Sequence, residues 1–527
     1  MNKILDEFKN NIFIKIVYSI IFSFMIIIDK NIVYNGNIFS KINEYYINSF
    51  NIFDYLLLLA IIILTYIFLS IIIVLLDNKN IKILNKKIDK KIYVLIFILL
   101  LIAWLPYVLS YFPFGIYYDT EVQIKQAIGH HLNNRHPIFN TMIITLFVDI
   151  GKSFNNLKLG LQLYSIFQLL VSLFTITYFI SWLAKKGISN KYIIFTTLFY
   201  MFFPIIPLYV VSFWKDTLFS IFLFLYVINL IDISIKNKDN LLNIKNILYH
   251  CSLIFLVAFS RNNGIYIVLI SSVFVIKKCF NNKLFRRLCI LELLCITIIQ
   301  IPIFNYLKIN TPFSENLGVP IQQISYVVSD HGKIEKSDKK IINNIIPIDV
   351  IKEVYTPAIA DKIKFDSNFN EEYLEKNKVS FFKVWFHLLR KNPNRYVKAY
   401  LLNTIGFYDI FKSSDVAYIN TTNWPQVDED LGITQDDYIK TIFGKSIRNI
   451  LEPKYYISVA IFVWVLLLSI VLCLVKKKTI LYLIPLLITV ATLFLAVPLA
   501  FSFRYLFVLV LSFPLIIISP LLNNLDS

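Results

Sequence analysis

Two carboxylates stand at the end of a long apolar run, in the stretch FPFGIYYDTEVQ at residues 112–123. They are Asp119 and Glu121, and a carboxylate beside a reacting bond can take a proton from an attacking hydroxyl group. Ionisable groups near hydrocarbon cost about 2.5–3.5 kcal/mol even on the mild insertion scale, which favours a functional role. Because the two acids are two positions apart, they would point apart on a helix, and the sequence leaves open whether Glu121 takes part. We expect Asp119 to lie at a wet rim, where its side chain buries little surface.

Further polar residues fall at the ends of other apolar runs. They lie in GHHLNNRHP (129–137), SFWKD (212–216), SRNNG (260–264) and FSFRY (501–505). The candidates for substrate binding are Arg135, His136, Lys215, Asp216, Arg261, Asn263 and Arg504. The alternative for each basic residue is an anchor that reaches the interface, and Asp216 could simply pair with Lys215.

Metal binding by the histidines is the weaker alternative. His130, His131 and His136 follow an H-H-x4-H spacing, which fits no established ligand pattern. We therefore assign no metal ligand and expect no cofactor, while a divalent metal stays open. The five cysteines all precede residue 307 or follow residue 454, which excludes a disulfide framework in between.

The elements that position these residues are membrane helices. The chain of 527 residues is 57% hydrophobic, with a mean hydropathy of +0.65. Repeated apolar runs of about 20 residues are typical of transmembrane helices. The sequence predicts twelve spans, at 11–29, 55–76, 92–112, 160–184, 192–212, 217–235, 246–260, 264–276, 286–306, 455–475, 479–499 and 503–522.

The net charge of +18 comes largely from lysine-rich loops between these spans. Such loops follow the positive-inside pattern, which predicts cytoplasmic loops and both termini in the cytoplasm. We expect no nucleic acid partner, because the basic residues form no separate groove with interleaved aromatic residues.

Two segments are then expected outside. In the first, at 113–159, the run 138–151 carries a narrow polar stripe and rises only about 21 Å as a helix. We expect an interfacial helix on the outer leaflet; the alternative is a short span, which would place the KKGISNK loop (185–191) outside. The second segment, 307–454, is long enough for a mainly helical domain, with helices predicted at 380–391 and 394–406. The predicted organisation is a transmembrane module at 1–306, the external domain and C-terminal spans at 455–527.

The layout resembles the GT-C membrane glycosyltransferases, and more narrowly a set of poorly characterised bacterial GT-C-related proteins. An acid in the first large outer loop, an interfacial helix beside it, many spans and a late external domain carry the resemblance. The matching stretches are GIYYDTEVQIKQAIG, NNRHPIFNT, SFWKDTLFS, FSRNNGIY, VPIQQIS, NPNRYVKAYLLNTIGFYD and FSFRY.

The resemblance implies an all-α polytopic enzyme that transfers a sugar from a polyprenyl-phosphate donor to an envelope glycan, lipid or protein on the outer face. The donor phosphate would meet lysine and arginine at the rim, and Asp119 would act as general base. Many members carry paired acids in this loop, whereas here Thr120 separates the two. One alternative is a transporter or lipid flippase, but no internal repeat relates the two halves of the sequence. The other is a non-catalytic assembly protein, which would leave the charged residues at the rim unexplained.

Overall fold

The computed structural model describes residues 10–77, 81, 86, 89–130, 136–235, 244–278, 283–298, 312–413, 433, 435–451, 457–496 and 499–522. Over these residues it contains 24 α-helices, which confirms the all-α prediction. The sheet it contains is a single antiparallel pair of two-residue strands, β1 (Ile32–Val33) and β2 (Tyr46–Ile47).

The helices of the apolar part, in chain order, are α1 (Ile12–Asn31), α2 (Ile52–Asp77), α3 (Lys90–Tyr111), α4 (Tyr118–Gly129), α5 (Ile138–Ser153), α6 (Leu157–Lys185), α7 (Asn190–Phe202), α8 (Ile205–Val210), α9 (Lys215–Ile235), α10 (Ile244–Ser260), α11 (Gly264–Lys278) and α12 (Lys283–Ile298). Those that follow are α13 (Gly318–Ser329), α14 (Lys336–Ile345), α15 (Ile348–Val354), α16 (Asp361–Lys364), α17 (Glu371–Lys376), α18 (Lys378–Lys391), α19 (Pro393–Thr404), α20 (Tyr438–Phe443), α21 (Arg448–Leu451), α22 (Ala460–Val475), α23 (Ile484–Ala496) and α24 (Phe507–Ile518). Short 3₁₀ helices lie at Phe313–Asn316, Ile405–Phe407, Leu481–Leu483, Phe503–Leu506 and Ser519–Leu521.

Six helical stretches among the described residues are long and apolar enough to cross a membrane. They are Ile12–Asn31, Ile52–Leu76, Lys90–Tyr111, Leu157–Lys185, Lys215–Ser234 and Phe503–Leu521. Shorter apolar helices accompany them, including α10, α22 and the stretch Leu481–Ala496. These helices indicate a multi-pass membrane protein, and each of the twelve predicted spans coincides at least in part with a helix.

Over the part of the chain that the structure describes, three predicted spans are not continuous α-helices. The span 503–522 consists of α24 with a 3₁₀ helix at each end. The predicted span 192–212 is divided into α7 and α8 at Phe203, whose backbone is extended. Pro204 follows it, and a proline pushes the preceding residue out of the helical region. The predicted span 479–499 begins instead with a 3₁₀ turn before α23.

The apolar helices divide into a buried group and a peripheral group. In the most apolar stretch of α9, 83% of the residues are buried, and this helix packs against α6, α10 and α24. By contrast, only 17% of the residues in the corresponding stretches of α2 and α3 are buried. A helix this apolar and this exposed is suited to contact with lipid. The core therefore lies around α9, the helix whose first residues carry the candidate site.

The polar helical region, residues 312–413, contains α13 to α19. Both helices predicted there are present, as α18 and α19, and Pro393 occupies the first position of α19. A proline is tolerated there because the first helical N–H groups have no partner within the helix. Asn392, which precedes it, accepts a hydrogen bond from the backbone N–H of Lys333 at 2.9 Å.

The segment between α1 and α2 packs on this polar helical region, a contact that the sequence did not predict. The hydroxyl of Tyr45, which is fully buried, donates to the carbonyl of Leu402 at 2.6 Å. Lys412 donates to the carbonyl of Asp29 at 2.8 Å and also contacts its carboxylate. The end of the first apolar helix is thereby attached to the region that follows α12.

The predicted interfacial helix is present as α5, and it packs against α4, α6 and α10. Its orientation relative to a bilayer stays a prediction. α5 and α6 approach very closely, since a side chain on Gly160 would come within 2.3 Å of the carbonyl of Phe147. α4, which carries Asp119, packs against α5 and therefore lies beside the bundle.

Candidate functional site

Five charged side chains meet where several helices begin or turn. Lys215 and Asp216 open α9, Arg504 lies in the 3₁₀ helix Phe503–Leu506, Arg261 lies between α10 and α11, and Asp119 is in the first turn of α4. We call these five residues the charged cluster. Asp119 and Arg504 are 385 positions apart in the chain, so only the fold brings them into contact.

Asp216 is the buried centre of the charged cluster. Its side chain is 0% exposed, and its Oδ2 accepts a hydrogen bond from Nε of Arg504 at 2.5 Å. The Nε of Arg261 lies 3.1 Å from its Oδ1. A carboxylate removed from water in this way is stable only when cations compensate it, and here two guanidinium groups do so. Asp216 therefore pairs with both arginines, and no ion pair with its neighbour Lys215 is described.

Asp119 is held by two cations. Its Oδ2 lies 3.0 Å from Nζ of Lys215 and also contacts a guanidinium nitrogen of Arg504. The expectation that this side chain buries little is wrong, because it is only 25% exposed. Burial raises the pKa of Asp119, but the positive charges of Arg504 and Lys215 outweigh that effect and hold the pKa well below its ordinary value. Asp119 is therefore ionised at neutral pH.

The charged cluster carries surplus positive charge. Its three cations face two carboxylates, which leaves a net charge of +1 when the neighbouring His136 is neutral. Nη1 of Arg261 is buried and has no hydrogen-bond partner among the described residues. A buried donor without a partner is costly, and an anion that accepted from it would remove that cost.

Aromatic rings line the charged cluster, a feature that the sequence reasoning missed. The guanidinium of Arg504 lies 3.9 Å from the ring centre of Trp214, which also stacks on Tyr117 at 4.6 Å. The guanidinium of Arg261 lies 5.1 Å from the ring centre of Tyr505. The signal was in the sequence, because an aromatic residue directly precedes Lys215 and directly follows Arg504. Such rings fix the planes of the guanidinium groups and shield them from water.

The backbone before α4 pairs with the backbone before α9. The N–H of Gly115 donates to the carbonyl of Val211 at 3.0 Å, and the N–H of Phe213 donates to the carbonyl of Gly115 at 2.9 Å. The hydroxyl of Thr120 donates to the carbonyl of Phe213 at 2.5 Å. Gln168 on α6 adds a hydrogen bond to the carbonyl of Val210 at 2.7 Å. These bonds set Asp119 opposite Lys215.

Two of the other predicted binding residues, His136 and Asn263, lie near the charged cluster. His136 is buried and its Nδ1 lies 2.9 Å from Nζ of Lys215, so it borders the charged cluster. Asn263 lies in the same turn as Arg261 and donates to the hydroxyl of Thr492 at 3.0 Å. Arg135 and His131 lie outside the described residues.

Glu121 is placed away from these contacts. Its carboxylate pairs with Lys125, one turn further along α4, and its side chain is 7% exposed. This agrees with the expectation that the two acids point apart on a helix, since Asp119 pairs with Lys215 and Arg504 instead. Its participation in chemistry stays a prediction.

The polar helical region reaches the charged cluster through the loop that precedes Arg504. The N–H of Ala500 donates to the carbonyl of Ala358 at 3.0 Å, and Ile359 forms a bridge with Leu499. Burial raises the pKa of Asp361 above its ordinary value; the charge of Lys364 opposes this effect, while that of Asp119 adds to it. α16, which begins at Asp361, follows closely on Ile359, which contacts this loop.

The histidines do not form a metal site over the described part of the chain. His130 is 61% exposed and lies 3.6 Å from Asp149, whereas His136 faces the ammonium of Lys215. A different group could hold a cation, since ligand atoms of Glu335, Asp338 and His387 lie within 4.8 Å of one another. These three side chains are already satisfied, however, because His387 pairs with Asp338 at 2.7 Å and Lys391 pairs with Glu335.

Comparison with known proteins places the chain in a family. Residues 124–525, most of the sequence, match a family of unknown function (DUF6020). The protein belongs to DUF6020. No curated protein and no solved structure matches it. The range that matches DUF6020 includes four residues of the charged cluster, and Asp119 lies just before it.

Proposed function

We propose that this protein is a GT-C-type membrane glycosyltransferase that moves a sugar from a polyprenyl-phosphate donor to an envelope acceptor on the outer face of the membrane. The charged cluster carries the proposal, because three cations outnumber two carboxylates at the ends of apolar helices. Surplus positive charge beside hydrocarbon suits an anion that is attached to a lipid chain. The outer face follows from the lysine-rich loops expected inside.

The arginines would bind the donor phosphate. Arg261 offers a buried Nη1 without a described partner, and its Nε forms an ion pair with Asp216 at 3.1 Å. Arg504 donates a hydrogen bond to the same carboxylate, so its guanidinium group would be oriented before the donor binds. Lys215, which is 12% exposed, would supply a third positive charge.

Asp119 would act as general base. The acceptor hydroxyl attacks the anomeric carbon of the sugar and gives its proton to the Asp119 carboxylate. The bond between the anomeric carbon and the phosphate oxygen breaks, and the polyprenyl phosphate leaves with the electron pair. His136 contacts the ammonium of Lys215 and would help to position it beside Asp119.

The ion pairs of Asp119 give this proposal a further requirement. A carboxylate whose pKa is well below its ordinary value is a weak base. A bound donor phosphate would compete for Lys215 and Arg504 and would weaken their hold on Asp119. The pKa of Asp119 then rises, so the base becomes stronger when the substrate is present.

The experiment compares cells that lack the protein with cells that carry the wild type, Asp119→Asn or Asp149→Asn. Mass spectrometry of envelope glycans and polyprenyl-phosphate sugars identifies the sugar and its acceptor. Asp119→Asn should lower transfer by about 10²–10⁴-fold, the usual contribution of a general base, and the lipid-linked sugar should accumulate. Asp149 is the matched control, since it is an acid of the neighbouring helix α5 with a 47% exposed side chain.

Protein amounts in the membrane are measured alongside, because Asp119 also holds cations. Proteoliposomes with increasing donor then separate the two roles. Loss of the base lowers the rate at every donor concentration, whereas a purely electrostatic role is overcome by excess donor. Wild-type glycans in Asp119→Asn cells with normal protein amounts would refute the assignment.

A further inference from the structure

A short segment outside the charged cluster carries a second inference. Residues 438–451, here called the anchor segment, comprise α20, a loop and α21. Large apolar side chains on it are exposed: Ile442 is 65% exposed, Phe443 74% and Ile450 77%. Several exposed large apolar side chains in so short a segment are typical of a contact surface rather than of a face turned to water.

The anchor segment is attached to the carboxyl end of α3. Nε of Arg448 donates to the carbonyl of Ser110 at 2.8 Å, and its guanidinium lies 4.9 Å from the ring centre of Tyr111. The hydroxyl of Tyr107 donates to the carbonyl of Leu451 at 3.4 Å. α3 is a candidate span that is only 17% buried, so its free surface is suited to lipid. The exposed side chains therefore continue a lipid-facing surface at the point where a span ends.

The charges of the anchor segment suit the same partner. Lys440 and Lys445 are exposed on either side of the Ile442–Phe443 pair. Basic side chains that flank apolar ones are typical of segments that lie in the headgroup region, with the apolar groups directed toward the acyl chains.

We propose that the anchor segment lies in the headgroup region of the leaflet at which α3 ends, and that phospholipid covers Ile442, Phe443 and Ile450. The anchor segment also touches the loop that leads to α4. The ring of Tyr438 lies 6.1 Å from that of Phe112, and just before the segment the N–H of Asp436 donates to the carbonyl of Phe112 at 2.7 Å. The anchor segment would thereby fix the position of α4 and Asp119 relative to the bilayer surface, whatever reaction the charged cluster performs.

The test uses the full-length protein in nanodiscs of phosphatidylcholine and phosphatidylglycerol. A photoreactive side chain is introduced by Phe443→p-benzoylphenylalanine, and irradiation is followed by mass spectrometry of the adducts. The matched control is Lys339→p-benzoylphenylalanine, an exposed charged position on α14. We expect lipid adducts that are many-fold more abundant at position 443 than at position 339.

The variant Ile450→p-benzoylphenylalanine provides a second position and should behave like Phe443. Equal lipid labelling at positions 443 and 339 would overturn the proposal. Adducts at positions 443 and 450 that contain peptides of another protein, without lipid, would also overturn it and would indicate a protein partner.

Discussion

Replacing the buried carboxylate at the centre of the charged cluster should destabilise the protein strongly. The change is Asp216→Asn, which keeps the shape of the side chain and removes its charge. Asp216 is fully buried between Arg504 and Arg261, so both guanidinium groups would lose the anion that compensates them. The amide group would also turn hydrogen atoms toward donors that need an acceptor.

The size of the effect follows from the distances. At the nitrogen–oxygen distances of 2.5 Å and 3.1 Å, the Coulomb attraction between two unit charges is about 5–7 kcal/mol per pair at an effective dielectric constant of about 20. Desolvation offsets much of this attraction when a pair forms, but removing one partner from a buried pair typically costs about 3–5 kcal/mol. Because Arg504 is 17% exposed and Arg261 is 12% exposed, we expect the lower end, about 3 kcal/mol.

The assay is equilibrium unfolding in mixed micelles with increasing sodium dodecyl sulfate, followed by tryptophan fluorescence. Asp149→Asn is the control and should change the free energy of unfolding by less than about 0.5 kcal/mol, as expected for a surface position. Arg261→Met completes a double-mutant cycle with Asp216→Asn. In the double variant one uncompensated charge is gone, so the combined loss should fall short of the sum by about 0.5–3 kcal/mol.

Two results would refute this reasoning. An Asp216→Asn protein as stable as the Asp149→Asn control would mean that the carboxylate does not compensate the arginines. Strict additivity in the cycle would mean that Asp216 and Arg261 do not interact in the folded protein.

Three further predictions concern the contact between the polar helical region and the loop before Arg504, the membrane topology, and the binding of the donor. Gly406→Ala would place a Cβ 2.0 Å from the backbone nitrogen of Phe501, so it should cost at least about 1–3 kcal/mol; an unchanged midpoint of unfolding would contradict this. A membrane-impermeant thiol reagent should label Ser367→Cys and spare Asn240→Cys in intact cells, and the reverse pattern would invert the topology. Arg261→Ala should raise the donor concentration needed for transfer, and Arg261→Lys should restore it only in part because the guanidinium fork is lost; an unchanged donor dependence in Arg261→Ala would exclude a role in binding.

Most of the helices that the sequence predicted lie within a few residues of observed ones, because a helix satisfies its own backbone hydrogen bonds. The predicted helix 380–391 is observed as Lys378–Lys391, and the run 138–151 as Ile138–Ser153. The same local physics also accounts for an error, since Pro204 interrupts a run that composition alone suggests is continuous. Apolar length predicted the membrane character, but hydropathy does not register where a backbone changes direction.

The partners of the charged residues depended on tertiary structure. Asp119, Lys215, Arg261 and Arg504 were all candidates from their positions at the ends of apolar runs, and that position is a local property. The sequence left open a pair between Asp216 and Lys215. In the fold Asp216 pairs with the two arginines, and Lys215 pairs with Asp119. Adjacent residues at a helix start point in different directions, so each reaches a different neighbour.

The environment and ionisation of Asp119 also depend on long-range contacts. From the sequence it appeared as a carboxylate in water, because nothing local approaches it. Lys215 and Arg504, which are 96 and 385 positions away along the chain, contact its carboxylate in the fold and lower its pKa. Chain order determined which residues lie near the ends of apolar helices. Only the packing of those helices determined which charges meet, because an ion pair depends on distance in space and not on separation along the chain.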